Sequence, residues 1–176
     1  MMHLLVASGG STHSHIALQQ CLAIAEMVAV EATILTVIEH EEDQSEAEDL
    51  ISAASAILSP VVHALRSKIR VGQPDTEIVA EAASDKYDLL ILGEKSQHSL
   101  LTRLMGPTAQ RVIAQSERPV LLAKLNAHAP QRILICDGGA QTPNLPERLG
   151  AQLPELLAVA EDVTVLHVMS QISAAP

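Results

Sequence analysis

The chain has no tryptophan and no phenylalanine, and Tyr87 is its only aromatic residue. Leu, Ile, Val, Ala and Met must therefore fill any core, which suits a parallel sheet covered by helices on both faces. Cysteine is equally scarce. Cys21 and Cys136 form neither a disulfide framework nor a metal-binding spacing, and both read as small buried hydrophobes in apolar segments. Positive charge is limited to 11 Lys and Arg against 21 Asp and Glu, a formal net charge of −10. Phosphate backbones and anionic membranes repel such a surface, so neither a nucleic acid nor a membrane is expected as a partner. A small anion remains compatible, because backbone N–H groups bind it locally. No apolar run approaches a membrane-spanning length, and the N-terminus lacks a basic region followed by an apolar stretch. The expectation is a cytoplasmic protein.

What the chain does contain is a regular alternation of apolar runs and helical patterns. Leu4 to Ala7 is a short buried strand running into Ser8-Gly9-Gly10-Ser11, where Ser11 is placed to cap a helix. Leu18, Cys21, Leu22 and Ala25 give that helix one apolar face. Ala32 to Ile38 is a second strand, which completes a βαβ unit. An acidic stretch from Glu39 to Asp49 leads into a helix expected from about Ala47 to Arg66, with His63 on it. Lys68 to Val71 is a short charged strand that suits a sheet edge. Gly72 breaks it, and Pro74 fits the first turn of the next helix. Leu89 to Leu92 is a fully apolar fourth strand ending at Gly93, and Tyr87 just before it caps the core. A polar loop runs to Gly106, and the following helix is expected to turn Ala109, Val112 and Ile113 inward. Pro119 to Ala123 is a fifth strand, suited by its proline to an edge. The pattern predicts an α/β fold, an open doubly wound five-stranded parallel sheet whose ligand site lies beyond the carboxyl ends of the strands.

Residues 126–130 read as a linker, after which the opening pattern returns. Arg132 to Cys136 leads into Asp137-Gly138-Gly139 as Leu4 to Ala7 led into Gly9-Gly10, and Val163 to Val168 mirrors Ala32 to Val37. Pro143, Pro146 and Pro154 predict a broken or short helix between them. Residues 131–176 thus form a partial second repeat with nothing corresponding to residues 39–125. Two strands cannot bury both faces alone. Either the repeat is cut short, or the segment docks on the first domain or on another subunit.

The loop before the fourth helix carries a resemblance. Gly93, two residues, Ser96, nine residues, Gly106, Pro107 and Thr108 follow the spacing of a glycine loop typical of the universal stress protein family. That family has glycine where Ser96 stands and Ser or Thr where Pro107 stands. Gly72-Gln73-Pro74, Ala109-Gln110-Arg111-Val112 and Pro119-Val120-Leu121-Leu122 also resemble it, in order across residues 1–125. The resemblance implies a Rossmann-like, adenine-nucleotide α-hydrolase-like fold with strand order 3-2-1-4-5. It implies a stress-response or regulatory binding module, and as cofactor ATP or another adenine nucleotide with magnesium. Carried over by position, Gly9 stands where ATP-binding members have an aspartate, beside Gly10, and Val37 takes the adenine contact. Gly93, Ser96, Gly106, Pro107 and Thr108 form the phosphate loop. Gly9 has no carboxylate, Ser96 adds a side chain, and Pro107 removes both a hydroxyl and an N–H donor. Each lost hydrogen bond to a charged group costs roughly 1.5–3 kcal/mol. The resemblance therefore implies a degenerate site with weak or no ATP binding. Its alternative is a nucleotide-gated switch with slow ATP hydrolysis, supported by Gly93, Gly106 and Thr108. Asp137 keeps the acidic residue in the second repeat, without a glycine loop of its own. The family commonly dimerises through the fifth strand, so a homodimer or pairing of the two repeats is implied, together with an unidentified protein partner.

Other constellations favour structural readings. Ser8-Gly9-Gly10-Ser11 is similar to the phosphate loop of ATP-pyrophosphatases, but Thr12 replaces its aspartate, and a turn at a strand end needs glycine anyway. His13 and His15 lie two apart on a helix and do not face each other, so they read as partly exposed polar residues rather than metal ligands. No nucleophile–base–acid series stands out, so the expectation is a protein that is not an enzyme, at most a weak ATPase.

Overall fold

The structure is a computed structural model that describes residues 1–84, 86–94, 106–124, 128–138 and 142–167. The chain divides into two units, Met1–Ala129 and Pro130–Pro176. In the first, β1 (Met2–Ala7), α1 (Thr12–Ala25), β2 (Val30–Ile38), α2 (Gln44–Leu58), β3 (Ala64–Val71), α3 (Pro74–Ser84), β4 (Leu89–Gly93), α4 (Pro107–Gln115) and β5 (Val120–Ala123) alternate along the chain. The five strands form one parallel sheet in the order β3-β2-β1-β4-β5. This is the order that the family resemblance implied. In register, Val6 of β1 faces Ile34 of β2 on one side and Ile91 of β4 on the other.

One face of the sheet carries the main apolar cluster. Leu5, Leu35, Leu90 and Leu92 from the strands meet Ile78 and Ala82 of α3, Ala109 and Val112 of α4, and Tyr87. The lone aromatic ring is fully buried. Burial of its hydroxyl is compensated by a 2.7 Å hydrogen bond donated to Glu81 Oε1. Glu81 is itself 1% exposed. It also accepts hydrogen bonds from Lys68 and from Arg70 Nε at 2.8 Å, both on edge strand β3. The charged residues of β3 therefore hold α3 to the sheet while their ends reach solvent. On the opposite face Leu4, Val6, Ile34 and Cys21 are buried. Burial pushes the Cys21 thiol up to about 12.

Three local expectations fail for identifiable reasons. Helix α2 ends at Leu58 instead of running to Arg66. Ser59 caps the helix with its backbone still helical, and Pro60, which has no N–H, cannot continue the hydrogen-bond ladder. His63 consequently lies exposed in the turn before β3, not on a helix, and its N–H donates to Val30 O at 2.8 Å. Ile113 is 40% exposed, because Ala109 and Val112 set the buried face of α4 and Ile113 falls about 100° from Val112 around it.

The second unit comprises β6 (Arg132–Asp137), α5 (Leu145–Gln152), α6 (Pro154–Val159) and β7 (Asp162–His167). Asn144 and Glu147 form a reciprocal capping box at the start of α5. Pro154 opens α6, so the helical segment is interrupted as the prolines predict. β6 and β7 pair in parallel with Ile135 opposite Val165 and Cys136 opposite Leu166. Leu134, Cys136 and Leu166 share one face and are exposed, so Cys136 is not the buried hydrophobe expected. Cys21, by contrast, is carried on the buried face of α1.

Candidate functional site

The strand order reverses between β1 and β4, and there the chain leaves the sheet in opposite directions and opens a crevice. A cleft of about 300 Å³ lies at this point. Ala7, Leu35, Val37 and Leu92 at the carboxyl ends of three strands form its floor. Pro74 and Ile78 of α3 form one wall, and Thr108 and Ala109 of α4 the other. Ser8, Gly9, Ser11, His13, Ser14 and Gly93 make its polar rim. Among the described lining residues none is Asp, Glu, Lys or Arg.

Gly9, Val37, Gly93 and Thr108 were expected at the site, and all four line this cleft. Gly9 is open: a Cβ built there meets nothing within 4 Å. Gly10 lies beside the cleft and serves the turn. Its φ of 72° is in the left-handed region, and a Cβ would lie 2.9 Å from the Leu50 side chain. Gly93 also has a packing role. A Cβ there would come within 1.7 Å of the His13 carbonyl oxygen. The glycine admits the backbone of α1 against the end of β4, whatever it also allows a ligand. Ser96 lies outside the described residues.

Gly106 is the N-cap of α4 and Pro107 opens its first turn. Among the described residues no side chain caps this end. Pro107 has no N–H, so Thr108 and Ala109, which line the cleft, carry the first-turn N–H groups left without an intrahelical partner. The positive end of the helix dipole adds to them. This wall suits an anion, with fewer donors than a Ser or Thr at 107 would give.

Ser14 and His13 are among the lining residues that the sequence reading did not name as site residues. Ser14 is buried, and its Oγ donates to Ser11 O at 2.7 Å while its N–H donates to Ser11 Oγ at 3.3 Å. These hydroxyls are engaged in capping α1, as expected for Ser11. His13 is half-buried and lines the cleft, and its Nδ1 is buried with no hydrogen-bond partner. The signal for both was position alone: the first turn after β1, at the carboxyl end of the sheet.

In the second unit Asp137 is already engaged. Its Oδ1 accepts from Leu145 N at 3.4 Å, and its Oδ2 lies 3.5 Å from His167 Nδ1. The carboxylate thus serves the start of α5. Among the described residues no group of three or more His, Cys, Asp or Glu is placed to hold a metal ion, and no helix is long and apolar enough to cross a membrane.

The fold and cleft define an open, doubly wound α/β protein of the Rossmann-like class with a binding crevice at its topological switch point. The universal stress protein family model matches residues 1–124, and the chain belongs to that family. Among solved structures, hypothetical protein MJ0577 is 28% identical, with a TM-score of 0.60 over 70% of this chain and 95% of that one. A universal stress protein in complex with cAMP is 23% identical, with a TM-score of 0.55 over 69% of this chain and 95% of its own. One from Archaeoglobus fulgidus in complex with dAMP is 19% identical, with a TM-score of 0.56 over 70% of this chain and 98% of its own. No curated protein sequence matches the chain.

Proposed function

We propose that this universal stress protein is a binding module whose cleft takes an adenine nucleotide weakly and relays its occupancy to a protein partner. The observation that carries the reading is the composition of the cleft. An apolar floor ending at Val37 suits a base, and the uncapped start of α4 at Thr108 and Ala109 suits a phosphate. The family relatives in complex with cAMP and dAMP support the ligand class. The weakness follows from Gly9, which offers no carboxylate to a ribose, and from Pro107, which offers no N–H. No acid or base among the described lining residues other than His13 is available to activate water, which favours binding over hydrolysis. Magnesium, on this reading, arrives with the nucleotide.

Calorimetric titration of nucleotide-free protein with ATP and magnesium, AMP and cAMP tests the proposal. Saturable binding in the high micromolar to millimolar range is expected. No heat at millimolar ligand overturns the nucleotide reading, and low-micromolar affinity overturns the degenerate one.

Two organisational features belong to the same proposal. Edge strand β5, with Val120, Leu121 and Leu122, pairs two copies into a dimer. The second unit is a partial repeat of β1-α1-β2, supported by the parallel pairing of β6 with β7 around an intervening helical segment. Sedimentation of the wild type against Leu121→Lys tests the first: an unchanged monomer–dimer balance overturns it.

A further inference from the structure

We propose that His13 is a ligand-contacting residue that turns its imidazole toward the phosphoryl group of a bound nucleotide, so that the cleft selects nucleotides over nucleosides. The inference rests on the nucleotide reading of the cleft. His13 belongs to the first turn of α1, and its carbonyl packs against Gly93 at the end of β4. This fixes it on the side of the cleft where the loop toward Gly106 begins, away from Val37 at the end of β2. Its Nδ1 is out of water without a hydrogen-bond partner, a costly condition for a ring nitrogen. The nearby hydroxyls do not relieve it, because Ser11 and Ser14 bond to each other and to the α1 backbone. A ligand oxygen in the cleft supplies the missing partner once the ring turns about its Cβ–Cγ bond. His13 is also the one ionisable side chain among the described lining residues. It adds a donor to a cleft where Pro107 leaves the start of α4 one N–H short. The phosphoryl group is then held between His13 and the N–H groups of Thr108 and Ala109.

The test compares AMP with adenosine on the full-length wild type, His13→Ala and His13→Asn, with thermal melts to confirm folding. An asparagine amide occupies nearly the place of Nδ1 and retains a donor there. His13→Ala is expected to weaken AMP roughly tenfold or more and to leave adenosine within about twofold, with His13→Asn intermediate. In the wild type, the ¹⁵N resonance of the His13 ring is expected to move with AMP and not with adenosine. Equal losses for both ligands, or an unmoved ring resonance at AMP saturation, overturn the assignment of His13 and leave the nucleotide site standing. A wild type that binds neither ligand overturns both.

Discussion

Restoring the missing carboxylate is the most direct perturbation of the cleft. Gly9→Asp adds a side chain where a Cβ meets nothing within 4 Å, and the Gly9 backbone is not in the left-handed region that would strain it. The fold therefore has no reason to resist the change. A ribose hydroxyl bound to the new carboxylate contributes roughly 1.5–3 kcal/mol, which is about 10- to 150-fold in affinity. Pro107→Ser adds a first-turn N–H and a hydroxyl at the start of α4. Loss of the proline's preorganisation costs at most about 1 kcal/mol of stability. Gly9 lines the cleft and Pro107 opens the helix whose Thr108 and Ala109 line it, so the two effects are expected to reinforce each other without adding exactly as separate terms. Calorimetry with AMP and ATP on both single variants and the double variant reads the gain directly. If the double variant melts like the wild type and shows no gain for either nucleotide, the geometry assigned to this cleft is wrong.

Other expectations follow from packing and titration. Gly93→Ala drives a Cβ into the His13 main chain and is expected to cost several kcal/mol by urea denaturation, whereas Gly9→Ala is expected to be nearly neutral. A Gly93→Ala protein of wild-type stability would show that α1 and β4 separate freely. Burial pushes the Glu81 carboxyl up, but hydrogen bonds from Lys68, Tyr87 and Arg70 outweigh it and hold the group below the ordinary 4.5. Glu81 therefore stabilises the fold fully above about pH 4.5, and that contribution fades as pH falls through the lower folded value. Glu81→Gln is expected to lose about 3 kcal/mol at pH 7, the low end for a broken buried pair because Lys68 and Arg70 reach solvent. Its stability is also expected to fall less steeply than the wild type's between pH 5 and pH 3, and parallel melts across that range decide the point. Cys21 is buried with its thiol pushed up to about 12, whereas Cys136 is exposed. A thiol reagent is expected to titrate one cysteine in native protein and two in denaturant; two native thiols would show that α1 opens readily.

The sequence alone determined the sheet. Apolar runs at Leu4, Ala32 and Leu89, with helical patterns between them, specify buried parallel strands and their crossovers, since backbone polar groups in such runs have only each other as partners. The charged run at Lys68 and the proline before Val120 marked the two edges. Gly9, Val37, Gly93 and Thr108, carried over from the family resemblance, line one cleft. The early end of α2 was legible in Pro60, which has no N–H, and did not need the tertiary structure. Tertiary structure decided what sequence periodicity cannot carry. Cys21 and Cys136 look alike in sequence, and only packing separates them: Cys21 is on the buried face of α1, and Cys136 is on an exposed face of β6. Gly93 reads as a phosphate-loop glycine, yet its contact is the carbonyl of a residue eighty positions away. His13 reads as a partly exposed polar residue, and the approach of α1 to β4 sets it in the cleft with a nitrogen unpartnered. Both depend on contacts distant in sequence, which no local pattern records.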